Sequence, residues 1–79
     1  MTNLKLITDK EAAENMLTNA NNSMTIYRIQ IAFYEFVANK KTDKKVKANW
    51  LVERDKVKAQ MKSMQESIDE MTPFVASYN

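Results

Sequence analysis

Apolar residues fall at Ala13, Leu17, Ala20, Met24, Tyr27, Ile31, Tyr34 and Ala38, spaced alternately by four and three without a slip. That is a heptad stripe, which winds along one side of an α-helix and asks for a partner. Thr8-Asp9-Lys10-Glu11 precedes it as a capping box, with Thr8 as N-cap and Glu11 at the third helical position. The stripe runs straight through the polar segment Asn19-Ala20-Asn21-Asn22-Ser23. Asn and Ser cost a helix only about 0.5–0.7 kcal/mol each relative to Ala. One helix over residues 9–39 is therefore predicted.

Lys40-Lys41-Thr42-Asp43 reads as a turn, with Thr42 or Asp43 capping a second helix over residues 44–72. Its stripe is Val46, Trp50, Val57, Met61, Met64, Ile68 and Met71, interrupted by one polar layer at Glu53 and Arg54. Folded antiparallel, the two stripes face each other. Ala38 meets Val46, Tyr34 meets Trp50, Tyr27 meets Val57 and Leu17 meets Ile68, and facing residue numbers sum to 84 or 85. Thr72-Pro73 is expected to stop or re-cap the helix, leaving Phe74, Val75 and Tyr78 in a short apolar tail over residues 73–79. A strand is the competing local reading. Tyr27 to Phe33 alternates apolar and polar, but only Leu4-Lys5-Leu6-Ile7 could pair with it.

A second face complicates the hairpin. At 100° per residue, Asn15, Thr18, Asn19 and Asn22 lie opposite the heptad stripe, and further along the same side carries Ile26, Ile29, Phe33, Phe36 and Val37. Fully burying each of these five is worth about 1.5–3 kcal/mol, so a cover is expected. The N-terminal segment is too short. Seven extended residues reach about 24 Å, whereas Phe33 lies roughly 36 Å along the helix from residue 9. Two solutions remain. A second copy docks, so that two hairpins form a four-helix bundle. Alternatively the helix breaks at residues 21–23, and residues 9–20 fold back as the third helix of a monomeric bundle. The fold class is all-α, an antiparallel long-helix hairpin that dimerises, with the three-helix monomer as the alternative.

Composition agrees with that architecture. The 79 residues make one domain, with no Gly, no Cys and one Pro, so Gly-dependent turns and disulfides are excluded. A chain this short is marginal alone and gains from association. No apolar run suits a membrane span and the N-terminus lacks a signal-peptide core, which makes the cytoplasm the expected compartment and a membrane partner unexpected. Ten Lys and eight Asn suit an AT-rich genome, such as that of many phages or Gram-positive bacteria.

The net charge of +2 is small, but its distribution is uneven: residues 1–39 sum to −1, 40–62 to +6 and 63–79 to −3. Lys40, Lys41, Lys44, Lys45 and Lys47 crowd the hairpin tip. Asp9, Glu11, Glu14, Glu66, Asp69 and Glu70 lie at the open end. In an antiparallel dimer each basic tip is expected near its partner's acidic end. The basic tip could also contact phosphates of a nucleic acid, in a salt-dependent and sequence-independent way.

Little else points to chemistry. There is no His, and no Ser has a base at a recognisable spacing. Glu66, Asp69 and Glu70 could hold a hard cation weakly, but read more simply as a solvated helix end. Tyr27, Tyr34 and Trp50 could stack a base, yet they sit on the stripes and read as core. Arg28 and Glu35 share an exposed side and could fix register at an interface. The chain is expected to have no cofactor, no metal and no catalytic residue. The expected function is non-enzymatic: an inhibitor or adaptor that binds itself and a larger protein through Ile26, Ile29, Phe33, Phe36 and Val37, with the lysine tip steering. A nucleic-acid-binding accessory protein is the alternative.

Overall fold

The structure, a computed structural model, describes residues 6–78. Two helices make up the fold: α1, Asp9–Lys40, and α2, Lys44–Ala76, joined by a three-residue turn. No strand occurs among the described residues, and Tyr27 to Phe33 is helical throughout. Leu4 and Lys5 of the candidate strand partner lie outside the described residues, while Leu6 and Ile7 are exposed and outside either helix.

Each helix starts where a side chain can satisfy its free amides. Thr8 is extended, and its hydroxyl accepts from the Glu11 N–H at 3.1 Å. At the start of α2 the cap is Asp43, whose carboxylate accepts from Lys45 N–H at 2.8 Å and Val46 N–H at 3.1 Å.

α1 does not break at Asn21-Asn22-Ser23, which rules out the three-helix alternative. The reason is local. Asn21 Nδ2 donates to the Leu17 carbonyl at 3.0 Å, and Ser23 Oγ donates to the Asn19 carbonyl at 3.1 Å. Both polar side chains thus bond back to the preceding turn instead of capping a new helix. Meanwhile Ala20 is buried and Met24 half-buried on the seam, so packing continues across the polar segment.

The helices lie side by side, and the predicted stripes form the seam between them. Its buried residues are Ala13, Ala20 and Ala38 from α1, and Val57, Ile68 and Val75 from α2. The half-buried ones include Leu17, Tyr27, Ile31, Tyr34, Trp50, Met61, Met64 and Met71. Tyr34 and Trp50 are in ring contact, 5.9 Å between centroids, in agreement with the predicted register. Val46, at the end of the second stripe, is more open, at 39% exposure. The thinnest dimension of the fold is 12 Å, that of a single helix. A two-helix layer has no interior, and no large side chain is fully buried.

α2 continues past the expected stop at Thr72-Pro73 and ends at Ala76. The seam explains the extension. Val75 follows Ile68 and Met71 at the next stripe position and is buried, so one more turn of helix gains packing. The turn is held by Thr72 Oγ1 donating to the Ile68 carbonyl at 2.7 Å, and by the Phe74 and Tyr78 rings, edge to face with centroids 5.5 Å apart.

Candidate docking face and basic tip

The outward side of α1 carries a second stripe. Ile26, Ile29, Phe33 and Phe36 are spaced three, four and three, on the side of the helix turned roughly opposite to the seam. All four are open to solvent: 56%, 67%, 53% and 59% exposed respectively. Val37, on the flank of this stripe, is half-buried. Thus the structure brings all five predicted residues together over the loop-proximal half of α1, and leaves four of them uncovered.

The stripe has sharp ends. One heptad step before Ile29 and Phe33 the same side presents Asn22 and Ile26, and beyond Phe36 it reaches Lys40. Asn22 is exposed, and the Lys40 ammonium sits over the Phe36 ring, 4.2 Å from its centroid. A cation over an aromatic face at an exposed site is worth about 0.5–1 kcal/mol, enough to hold Lys40 at the rim.

α2 reaches the stripe at Phe33. Phe33 leans across α1 and meets Trp50, so the patch continues onto the edge of the indole. A shallow concavity lined by Asn49, Trp50 and Glu53 adjoins it. The stripe pattern places Trp50 in the seam, and its contact with Phe33 lies beyond what the 100° projection carries, because that projection treats side chains as radial spokes. Val52 is also exposed, on α2, separate from the predicted set.

Glu35, with Arg28, is a candidate for fixing register at an interface, and Arg54 belongs to the polar layer of the second stripe. Glu35 and Arg54 pair with each other within this chain. Arg54 Nη1 lies 3.5 Å from Glu35 Oε1 across the hairpin, and its Nη2 lies 3.0 Å from Asp55 Oδ1. Arg28 donates to Thr25 Oγ1 at 3.1 Å on its own helix. The polar layer at Arg54 is therefore an interhelix tie. Both groups are partly exposed, so the tie contributes about 0.2–1 kcal/mol.

The five tip lysines cluster around the turn, and all are exposed. Lys44, Lys45 and Lys47 stand in the first turn of α2, which carries no acidic residue. Positive charge there opposes the helix dipole and costs a few tenths of a kcal/mol per group. The cap carboxylate of Asp43 is the local counter-charge, already engaged with two backbone amides.

At the open end, Gln65 Nε2 donates to Asp69 Oδ1 at 2.9 Å. Among the described residues no three His, Cys, Asp or Glu side chains come together in a metal-binding group. No helix among them is long and apolar enough to cross a membrane. The chain matches no protein-family model, no curated protein and no solved structure.

Proposed function

We propose that the protein is a non-enzymatic interaction module, an inhibitor or adaptor that seats the outer face of α1 against another protein chain. The observation that carries this reading is the uncovered stripe of Ile26, Ile29, Phe33 and Phe36 on a continuous helix. Anchors spaced by three and four along a helix are the form in which a helix is read by an apolar groove or by another helix. Half-exposed Ile and Phe side chains each have on the order of 1 kcal/mol still to gain from burial. A rigid helix presents them without a large ordering cost on binding.

The lysine tip adds direction. Exposed positive charge at one end of the face raises the rate of encounter with an acidic surface and makes that rate fall with salt. The test is affinity capture from the native cell with the tagged protein, beside two altered baits. Phe33→Glu is expected to lose the captured protein. Charge reversal at Lys44, Lys45 and Lys47 is expected to weaken capture mainly at low salt. A captured protein retained equally by all three baits overturns the reading.

A second reading rests on the same tip. Five exposed lysines around a turn suit contacts to nucleic-acid phosphates without base readout. Retention of duplex or single-stranded nucleic acid at 50 mM salt, lost on the triple charge reversal, is what this reading expects. Absence of retention by the unmodified protein at that salt removes it.

A further inference from the structure

We infer that the occupant of the α1 face is a second copy of this chain, docked antiparallel, α1 against α1, about a two-fold axis level with residue 31. The inference rests on the reading of that face as a protein-docking surface and names its partner. A two-fold interface presents the same patch twice and must be complementary to itself. This patch is. Reversal about residue 31 pairs residues whose numbers sum to 62. Ile26 then faces the second copy's Phe36, and Ile29 faces its Phe33. Every layer joins an aliphatic side chain to an aromatic one. The polar ends obey the same rule, since Asn22 and Lys40, which bound the stripe, also sum to 62. The dry patch of one copy thus begins and ends where the other's does.

Charge selects the antiparallel sense. Parallel docking would bring the two lysine tips side by side. Antiparallel docking moves the tips apart: Lys40 and Lys41 of each copy come level with Asn22 and Asn21 of the other, and Lys44 to Lys47, which turn back along α2, come level with its residues 21–25. Those facing residues are Asn21, Asn22, Ser23, Met24 and Thr25, so the lysines meet no like charge on the facing helix. The overlap is staggered: the helices share residues 22–40, and each acidic open end projects beyond the joint.

The exposed area also suits a second copy. A compact monomer of 9.2 kDa exposes about 4,900 Å² by the scaling for folded proteins. This chain exposes 6354 Å². The excess is what a layer two helices wide and open on both faces exposes, and it exceeds the about 800 Å² that each partner contributes to a standard interface.

The chain has no cysteine, so single-cysteine variants report the register directly. The unmodified protein is expected to sediment at twice 9.2 kDa at tens of micromolar. Ile26→Cys and Phe36→Cys, oxidised together, are expected to give a disulfide-linked pair of mixed composition, and neither variant alone is expected to link appreciably. Phe33→Glu is expected to halve the mass while keeping its helical circular dichroism, and Val52→Glu, on the other helix, to leave the dimer intact. Self-linking of Ile26→Cys as efficient as the mixed reaction overturns the register. A monomer in the unmodified protein overturns the second copy. If capture of a different protein still fails with Phe33→Glu in that case, the docking face itself survives. A dimer indifferent to Phe33→Glu overturns the second copy at this face and leaves the docking reading to the capture experiment.

Discussion

Phe33 stands edge-on to Trp50, with ring centroids 6.2 Å apart and an interplanar angle of 81°. The contact joins a residue of the outer stripe of α1 to a residue of the interhelix seam. Tyr34 completes the group, 5.9 Å from each ring. Trp50 is the sole Trp, so its fluorescence reports on both surfaces at once. Phe33→Ala is expected to shift its emission to the red and to cost about 0.5–1.5 kcal/mol beyond the lost area, the range for an edge-to-face pair. Dilution of the unmodified protein through its association range is expected to shift emission in the same direction. An emission maximum unchanged by the substitution would place Phe33 away from the indole.

The same aromatic group marks what a linear pattern can and cannot carry. The seam was legible because Ala13 to Ala38 and Val57 to Met71 keep one period over long distances, and Tyr34 meets Trp50 where the register puts them. The outer face was legible for the same reason, since Ile26, Ile29, Phe33 and Phe36 keep their own period. Three features were not. The pairing of Arg54 with Glu35 depends on a long side chain crossing the seam diagonally, which residue spacing does not encode. The Phe33–Trp50 contact depends on rotamers. The last turn of α2 depends on a contest between Pro73 and the burial of Val75, and the sequence names the contestants without weighing them.

Continuity of α1 through the polar segment has a measurable consequence. Asn21, Asn22 and Ser23 sit in a helix interior, where each is worth about 0.5–0.7 kcal/mol less than Ala. Replacing Asn21 and Ser23 by Ala removes two side-chain bonds to carbonyls of the preceding turn, which are exposed and of little net worth. The double variant is expected to be about 1 kcal/mol more stable by urea unfolding. Were this segment a turn between two helices, the same change would destabilise the fold.

The seam should respond to truncation in proportion to burial. Ile68 is 8% exposed and central to the distal half of the seam. Ile→Ala in a core costs about 2–5 kcal/mol, and a two-helix layer open on both sides can relax, so the lower end is expected. Val52, half-exposed on α2, gives the internal comparison: Val52→Ala is expected within about 0.5 kcal/mol of the unmodified protein. Equal effects at the two positions would mean that the stripes do not face each other.

The turn depends on one carboxylate. Asp43 Oδ1 takes the amides of Lys45 and Val46, two of the free donors in the first turn of α2. Asp43→Ala leaves both to water and removes the local counter-charge to Lys44 and Lys45. Loss of a cap costs about 1 kcal/mol, which in a domain of this size lowers the melting temperature by about 4–8 °C. Asp43→Asn keeps the acceptor and loses the charge, so it should fall between the two. High salt should narrow the gap between Asp and Asn without restoring the Ala variant, which separates the hydrogen bonds from the charge.

Pro73 sets the last test, because a helix runs through it. Its ring nitrogen cannot donate to the carbonyl of residue 69, and in a helix interior such a residue costs about 3 kcal/mol relative to Ala. Near the C-terminus the cost is smaller, and the turn beyond it is secured from both sides. Ser77 N–H donates to the carbonyls of Pro73 and Phe74 at 3.1 Å, Tyr78 N–H donates to that of Val75 at 3.1 Å, and Val75 is buried on the seam. Pro73→Ala is expected to restore the missing bond and raise stability by about 1 kcal/mol. Val75→Ala is expected to lower it by about 1–2 kcal/mol, from the area that Val75 buries. Because Val75 packs only if the helix reaches it, its truncation should cost as much or more in the Pro73→Ala background. Truncation of Val75 without effect in either background would show that residues after Thr72 are a loose tail and that the seam ends at Met71.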